Sequence, residues 1–334
     1  MRAFVVTAPL TGAVLEVPDP VAGPGQVVVD VARAGVCGTD VEFFTGEMAY
    51  LRQGLAAYPL RLGHEWCGTV TSIGPEVSPS WQGAFVTGDT MLGCGVCTRC
   101  TSGRQHVCAT RAEVGILAWP GALADQLLVP ASSLHRLPPT LDAATGALVE
   151  PGGNALRCVR AAALSPGDRL LVMGPGTIGL LVALIAVAEG AEVHVVGTTR
   201  SSVDFARAAG VHGAWTWDTL PPLPFDAVVD ASTAPDLPSR AVDLVEPGKR
   251  VVYIGLAGTA SPLDTRTLAL KDVTAVGILS ASPGLAGIID LYASGKVDPR
   301  PLVATTITLD EVAQTLAGNR RPSVSTGPKI HVAM

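Results

Sequence analysis

The chain shows two patterns of hydrophobic and polar positions. Up to about residue 150, short apolar runs such as 27–31 and 68–73 alternate with glycine and proline turns. Short runs rich in β-branched residues and bounded by turn residues predict strands. We therefore expect an irregular, mostly antiparallel β domain in this part of the chain.

From about residue 165, apolar runs alternate with helical patterns. The predicted strands are 169–173, 193–196, 227–230 and 250–254, and the predicted helices are 178–189 and 202–209. This alternation predicts a doubly wound parallel sheet with right-handed crossovers. The tail returns to short strands, at 305–309 and 329–332, and we expect it to rejoin the first domain. The predicted fold is therefore α/β, with domain segments over 1–155, 156–288 and 289–334.

Composition narrows the classes of protein. A chain of 334 residues is long enough for about two domains with separate cores. A net charge of −6 argues against nucleic acid, because phosphate binding requires basic surfaces. The one long apolar run, 170–188, is interrupted by Gly174-Pro175-Gly176. With no long apolar signal segment at the N-terminus, we expect a cytoplasmic protein that binds neither nucleic acid nor a membrane.

Four of the seven cysteines lie on one short loop with the spacing CxxCxxCx7C. They are Cys94, Cys97, Cys100 and Cys108. Thiolates at this spacing form tetrahedral structural zinc sites, which leave no coordination position for a substrate. The alternative is a disulfide cluster, which is typical of small secreted scaffolds. We predict a structural zinc in this loop.

A glycine pattern lies between a predicted strand and a predicted helix. The motif GxGxxG is formed by Gly174, Gly176 and Gly179, with Thr177 and Ile178 between the last two. In this context the glycines allow a tight turn, a close approach to a pyrophosphate and close packing of helix on strand, and the helix N-terminus faces the phosphates. An ordinary glycine turn is the alternative. We predict a dinucleotide site.

The residues after the second predicted strand bear on the choice of dinucleotide. In this motif a carboxylate about 20 residues on usually selects NAD. Here the strand runs into Gly197 and then Thr198, Thr199 and Arg200, with no carboxylate. Hydroxyls and a guanidinium suit a phosphate, so we predict that NADP(H) is preferred over NAD(H). The alternative is that Arg200 is only a solvated residue at a helix start.

Three distant segments carry residues that can bind a second zinc ion. They contain Cys37, then the pair His64 and Glu65, and then Glu150. A catalytic zinc commonly has three protein ligands and one open position. Each residue also has an ordinary structural interpretation, as a buried apolar thiol, a core histidine or a helix N-terminal charge.

Together these motifs resemble the zinc-containing medium-chain alcohol dehydrogenase family, in its polyol, butanediol and threonine dehydrogenase branch. The matching segments run through most of the chain: GVCGTD at 35–40, GHEWCG at 63–68, Gly88-Asp89 before the four-cysteine loop, LHRLP at 134–138 before Glu150-Pro151, and GPGTIG at 174–179. The resemblance implies a GroES-like catalytic domain made of both ends of the chain and an inserted Rossmann cofactor domain. It also implies an active site in the cleft and a homodimer or homotetramer.

The same resemblance implies roles for the ligand candidates. Cys37, His64 and Glu150 correspond to catalytic zinc ligands. Glu65 corresponds to a carboxylate that either binds this zinc or lies just behind it. A carboxylate at position 150, where simple primary-alcohol enzymes more often have cysteine, indicates the polyol and threonine branch.

The resemblance also implies roles for Thr39 and Asp40, and it leaves the role of Arg157 open. Thr39 corresponds to the hydroxyl that hydrogen-bonds to the substrate oxygen and begins a proton relay. Asp40 corresponds to the acid that orients the ligating histidine. Arg157 stands where many relatives have histidine; it lies either near the cleft, where it would favour an acidic or phosphate-bearing substrate, or on the surface.

The predicted function is zinc-dependent hydride transfer between NADP(H) and a secondary alcohol or ketone, such as a polyol, cyclitol or amino alcohol, with one catalytic and one structural zinc per subunit. Two alternatives stay open. One is a zinc-free quinone or enoyl reductase of the same fold, which would lack the ligand set. The other is a non-catalytic zinc and nucleotide-binding protein, which would not need Thr39 or Asp40 for a relay.

Overall fold

The computed structural model describes residues 1–319 and 326–334. Residues 1–162 form small strands and short helices. The strands are β1 (Arg2–Ala8), β2 (Thr11–Glu16), β3 (Gln26–Val36), β4 (Leu60–Arg61), β5 (Glu65–Ile73), β6 (Phe85–Gly88), β7 (Met91–Leu92), β8 (Ala112–Val114), β9 (Ala118–Trp119), β10 (Gln126–Pro130) and β11 (Leu134–Arg136). The helices are α1 (Gly38–Thr45), α2 (Ala49–Arg52), α3 (Thr98–Thr101), α4 (Ala143–Gly146) and α5 (Val149–Ala162).

The rest of the chain alternates strands and helices before a short β tail. Its strands are β12 (Arg169–Met173), β13 (Glu192–Gly197), β14 (Gly213–Thr216), β15 (Phe225–Asp230), β16 (Val245–Tyr253), β17 (Thr274–Gly277), β18 (Val303–Thr308) and β19 (Lys329–Ala333). Its helices are α6 (Thr177–Ala188), α7 (Arg200–Ala208), α8 (Leu237–Leu244), α9 (Thr265–Leu270), α10 (Leu285–Ala293) and α11 (Val312–Leu316).

The largest sheet of the N-terminal part has the order β11-β6-β5-β3-β19-β18, and β10 also pairs with β3. Its pairs are antiparallel except β18 with β19. Because β19 lies against the end of β3, with Ile330 opposite Val36, the tail of the chain completes this sheet beside Cys37. Large apolar side chains such as Phe4 and Trp66 fill its core.

The second sheet is parallel, with the order β14-β13-β12-β15-β16-β17. The reversal of strand order beside β12 places the β12–α6 turn at the switch point where open α/β sheets bind ligands. The structure thus has the predicted α/β fold. The proposed segment boundaries at 155 and 288 fall inside α5 and α10 and stay predictions.

Two helices differ from the sequence expectation for local reasons. Helix α7 begins at Arg200 rather than at residue 202, because the Thr199 side chain accepts the backbone N–H of Ser202 and caps the helix. Helix α1 was not predicted, since its eight residues show little amphipathic pattern. Among the described residues, the helices are all too short or too polar to cross a membrane.

Candidate active site and zinc centres

A cleft of about 410 Å³ lies between the two sheets. One wall comes from the end of β3 and from α1, and includes Cys37, Thr39 and Glu42. The opposite wall comes from the carboxyl edge of the parallel sheet, and includes Gly176 and Gly255. Since ligand sites of α/β proteins form at this edge, the cleft is the candidate active site.

Asp40 ties together the two turns that carry Cys37 and His64. Its Oδ2 accepts the Cys37 N–H at 2.8 Å, and its Oδ1 accepts the Gly63 N–H at 3.2 Å. The side chain is fully buried, and this burial raises the pKa of Asp40, although the nearby His64 opposes the shift. The carboxylate therefore fixes the relative position of two candidate zinc ligands.

The His64 ring lies beside Asp40 without a hydrogen bond to it. Its Nδ1 is 3.7 Å from Asp40 Oδ1 and has no hydrogen-bond partner among the described residues. Burial lowers the pKa of His64, but the charges of Asp40 and Cys37 outweigh burial and the net shift is upward. The predicted role of Asp40 in orienting His64 stays a prediction.

Glu65 forms a buried ion pair with Lys329 that the sequence analysis missed. The Lys329 Nζ lies 2.8 Å from Oε1 and 2.6 Å from Oε2 of Glu65, and both side chains are 2% exposed. Burial lowers the pKa of Lys329, but Glu65 outweighs it and the net shift is upward. Gly35 makes room for this pair, because a Cβ there would lie 2.1 Å from Glu65 Oε2.

The candidate ligands of the catalytic zinc come together only in part. Cys37 Sγ, a ring nitrogen of His64 and an oxygen of Glu65 lie within 4.8 Å of one another. Glu150 lies outside this group; its Oε1 accepts the Asn154 side-chain amide at 2.9 Å. Burial raises the pKa of Glu150 to about 7, with His64 opposing the shift. Cys37 and His64 supply a thiol and an imidazole, and the buried carboxyl groups of Glu65 and Glu150 both lie near His64, so the donor set fits a zinc ion.

The four predicted cysteines of the structural zinc loop converge around α3. The Sγ atoms of Cys97 and Cys100 lie 3.6 Å apart, and those of Cys94 and Cys100, and of Cys97 and Cys108, lie 3.9 Å apart. Four sulfurs about 2.3 Å from one zinc lie about 3.8 Å apart in a tetrahedron. The donor set and its spacing therefore fit a closed zinc site.

The three glycines of the β12–α6 turn differ in backbone conformation and in the space that a side chain would have. Gly174 has φ +99°, in the left-handed region, and Gly179 packs so closely that a Cβ would lie 1.9 Å from Gly174 O. A Cβ at Gly176 would meet nothing within 4 Å. Gly176 also precedes α6 and lines the cleft with Thr177 and Ile178, so free space lies in front of the helix N-terminus.

The β13–α7 turn lies next to the glycine turn. A Cβ on Gly197 would lie 2.7 Å from the Pro175 ring, so the two loops are in contact. Thr198, Thr199 and Arg200 follow and are exposed. The Thr199 hydroxyl is occupied in capping α7, whereas the Arg200 side chain has no hydrogen bond or ion pair to any described residue.

Comparisons with known proteins agree with this architecture. Residues 23–139 match the family model "Alcohol dehydrogenase GroES-like domain", and residues 177–294 match "Zinc-binding dehydrogenase". The L-threonine 3-dehydrogenase of Cutibacterium acnes is 33% identical over 83% of this chain and 83% of its own. The chain belongs to the zinc-binding alcohol dehydrogenase family.

Other members of the zinc-binding alcohol dehydrogenase family are similarly related. The 2-dehydro-3-deoxy-L-galactonate 5-dehydrogenase of Pseudoalteromonas atlantica is 30% identical, over 88% of this chain and 87% of its own. A solved structure described as a zinc-binding dehydrogenase from Sinorhizobium meliloti 1021 bound to NADP has a TM-score of 0.89 and 25% identity, and covers 100% of this chain and 99% of that one. The predicted family and its oxidoreductase activity on CH–OH groups are thereby confirmed.

Two further residues, Met48 and Glu42, contribute to the wall of the cleft. Met48 lines the cleft, whereas its neighbours Phe43 and Phe44 are buried in the core. Glu42 also lines the cleft, one helical turn after Thr39. The i, i+3 spacing of two polar residues in GTDVE was the available sequence signal for Glu42.

Proposed function

We propose that this dehydrogenase transfers a hydride between NADP(H) and a secondary alcohol or its ketone. The observation that carries the proposal is that Cys37 and Glu65 line the same cleft as Gly176 and Thr177. Candidate metal ligands and the candidate pyrophosphate turn thus face one space. Cys37, His64 and Glu150 would hold the catalytic zinc, which when bound supplies a Lewis acid for the substrate oxygen.

In this proposal, Lys329 positions a carboxylate beside the metal ligands, and two residues of α1 carry the substrate proton. Lys329 engages both oxygens of Glu65 and so holds that carboxylate beside the site rather than free to fill it. Thr39 accepts the substrate hydroxyl proton and passes it toward Glu42 on the same helix face. The apolar side chains of Met48 and Ile330 line the cleft and exclude water from it.

The charges of the cleft favour a substrate without a phosphate. The charged residues that line it are Glu42, Glu65 and Lys329, and Lys329 is already paired. Arg157 does not line the cleft; its guanidinium donates to the backbone carbonyls of Leu279 and Ser280. We therefore propose a neutral polyol or cyclitol, or an amino alcohol.

The proposed enzyme is a homodimer or homotetramer with two zinc ions per subunit. Strand β17 forms one edge of the parallel sheet, and its residues Thr274 and Ala275 are exposed. Leu256 and Leu270 nearby are 74% and 82% exposed. An open edge strand with exposed leucines supports subunit contact at this edge.

Glu42 gives the proposal a pH test. Burial, with a smaller contribution from Glu47, raises the pKa of Glu42. The carboxylate must be ionised to accept a proton. The rate of alcohol oxidation is therefore at its maximum above this raised pKa, and it falls as the pH is lowered through the pKa. We expect Glu42→Gln to lower kcat for oxidation by about 100-fold and to remove this acidic limb from the pH profile.

The matched control for Glu42→Gln is Glu47→Gln, which alters an exposed carboxylate just after the same helix. It should retain most of kcat and keep the acidic limb, moved to slightly lower pH because Glu47 contributes to the raised pKa of Glu42. Steady-state oxidation rates between pH 5 and 9 measure both. An unchanged limb in Glu42→Gln would show that another group accepts the proton.

Arg200 gives the proposal a cofactor test. The Arg200 guanidinium has no partner among the described residues, and Arg200 follows a turn that contacts the pyrophosphate turn through Gly197, which supports recognition of a 2′-phosphate. We expect wild type to favour NADP(H), and Arg200→Ala to lower the NADP(H)/NAD(H) ratio of kcat/KM by about 10- to 100-fold, the loss of one charge-assisted contact. A panel of polyols, amino alcohols and their ketones supplies the assay.

Arg207→Ala is the control for Arg200→Ala, because Arg207 lies on the same helix but is paired with Asp204 at 2.7 Å. It should leave the cofactor ratio unchanged. A wild type that prefers NAD(H) would refute the cofactor proposal, and a panel without turnover would refute the substrate class.

A further inference from the structure

The four-cysteine loop touches the cofactor domain through one buried carboxylate. Asp89, which follows β6, is 3% exposed and accepts three hydrogen bonds. The donors are the Met91 N–H at 3.0 Å, the Gln105 side-chain amide at 2.9 Å and the Ser282 hydroxyl at 2.8 Å. A buried carboxylate with this many donors has a fixed orientation.

Gln105 brings the zinc loop to Asp89. It lies between Cys100 and Cys108 in the sequence. It also packs against the first turn of the loop, because a Cβ on Gly93 would lie 2.9 Å from Gln105 Cβ. The position of its amide therefore depends on the fold of the cysteine loop.

Ser282 brings the cofactor domain to Asp89. It lies in the segment 278–284, between β17 and α10. Ser280 in this segment has φ +71°, a left-handed conformation that is unfavourable for a residue with a Cβ. The Ser282 N–H donates to Ser280 Oγ at 3.2 Å, and Arg157 donates to the Leu279 and Ser280 carbonyls. The surrounding contacts thus hold the segment in a strained form.

The segment adjoins the cleft wall. The Ile278 N–H donates to the Tyr253 carbonyl at 2.9 Å, and the residues after Tyr253, which are Ile254, Gly255 and Leu256, line the cleft. The segment therefore leaves the sheet at its carboxyl edge, beside the wall between the pyrophosphate turn and the candidate zinc ligands. A nicotinamide ring bound in this cleft would lie close to that stretch of wall.

We propose that Asp89 is a positioning residue that joins the four-cysteine loop to the cofactor domain. It receives Gln105 from the loop and Ser282 from the segment 278–284, and so fixes the wall against which the nicotinamide lies. Arg157 supports the same segment from α5. The inference rests on the proposed dinucleotide function, and it gives the structural zinc loop a part in cofactor binding.

Ser282→Ala tests the connection, since it removes the hydroxyl that reaches Asp89. We expect the KM and the Kd for the dinucleotide to rise about fivefold, the equivalent of one buried hydrogen bond, while kcat changes less than twofold. Amide hydrogen exchange in the dinucleotide-free protein should become faster at 278–284. Thr315→Val is the control, because it removes a buried hydroxyl whose one hydrogen bond among the described residues is to the Glu311 carbonyl in the preceding turn.

Gln105→Ala removes the hydrogen bond that the zinc loop donates to Asp89. If Asp89 connects the two partners, Gln105→Ala also speeds exchange at 278–284, and the double variant changes KM less than the product of the single effects. Unchanged KM and exchange in both folded variants, or strictly multiplicative effects, would overturn the inference. If wild type binds neither dinucleotide, the proposed function fails, and the exchange measurements still decide whether Asp89 joins the domains.

Discussion

Replacing Cys37 with alanine should lower the zinc content from two ions per subunit to one and reduce turnover by at least about 1,000-fold, while dinucleotide binding is retained. Cys37 is a candidate ligand in a cluster with His64 and Glu65, and the four-cysteine loop is a separate site. Loss of the Lewis acid removes several kcal/mol of transition-state stabilisation, which corresponds to this factor. Elemental analysis, steady-state kinetics and dinucleotide titration measure the three quantities.

The control for Cys37→Ala is Cys158→Ala. Cys158 is buried in α5 and belongs to neither candidate zinc cluster. That variant should keep both ions and most of the activity, at a modest cost in stability. Full activity in Cys37→Ala, or one zinc per subunit in wild type, would remove the basis for the proposed chemistry.

The parts of the site that could be predicted from sequence are those with local patterns. The glycine turn at 174–179 and the cysteine loop at 94–108 are read from short spacings, because neighbouring residues alone decide their geometry. Cys37 and His64 could be joined only through the family resemblance, since their meeting depends on the pairing of β3 with β5.

The parts that could not be predicted depend on contacts between distant segments. Lys329 lies 264 residues from Glu65, and the two meet because β3 pairs with β19 on one side and with β5 on the other. The lysine at the start of the predicted strand 329–332 was the one hint, because a lysine is rarely buried without a partner. Asp89 and Ser282, which are 193 residues apart, had no comparable signal.

Lys329→Met should destabilise the protein more than any surface substitution. Both members of the Glu65–Lys329 pair are 2% exposed, so removing the cation leaves a carboxylate buried without its partner. Breaking such a pair costs about 3–5 kcal/mol, and we expect the Tm of zinc-depleted protein to fall by roughly 6–15 °C. Thermal unfolding at a single scan rate measures the change.

Two further variants separate charge from packing in this result. Lys249→Met breaks the partly exposed pair with Asp226, at 2.7 Å, and should cost less than about 1 kcal/mol. The double variant Lys329→Met with Glu65→Gln removes both buried charges, and it should recover most of the lost stability, because the unpaired carboxylate causes the loss. Equal Tm values for the single and double variants would place the loss in packing around the lysine stem. That outcome would weaken the proposal that Lys329 holds Glu65 beside the candidate zinc ligands.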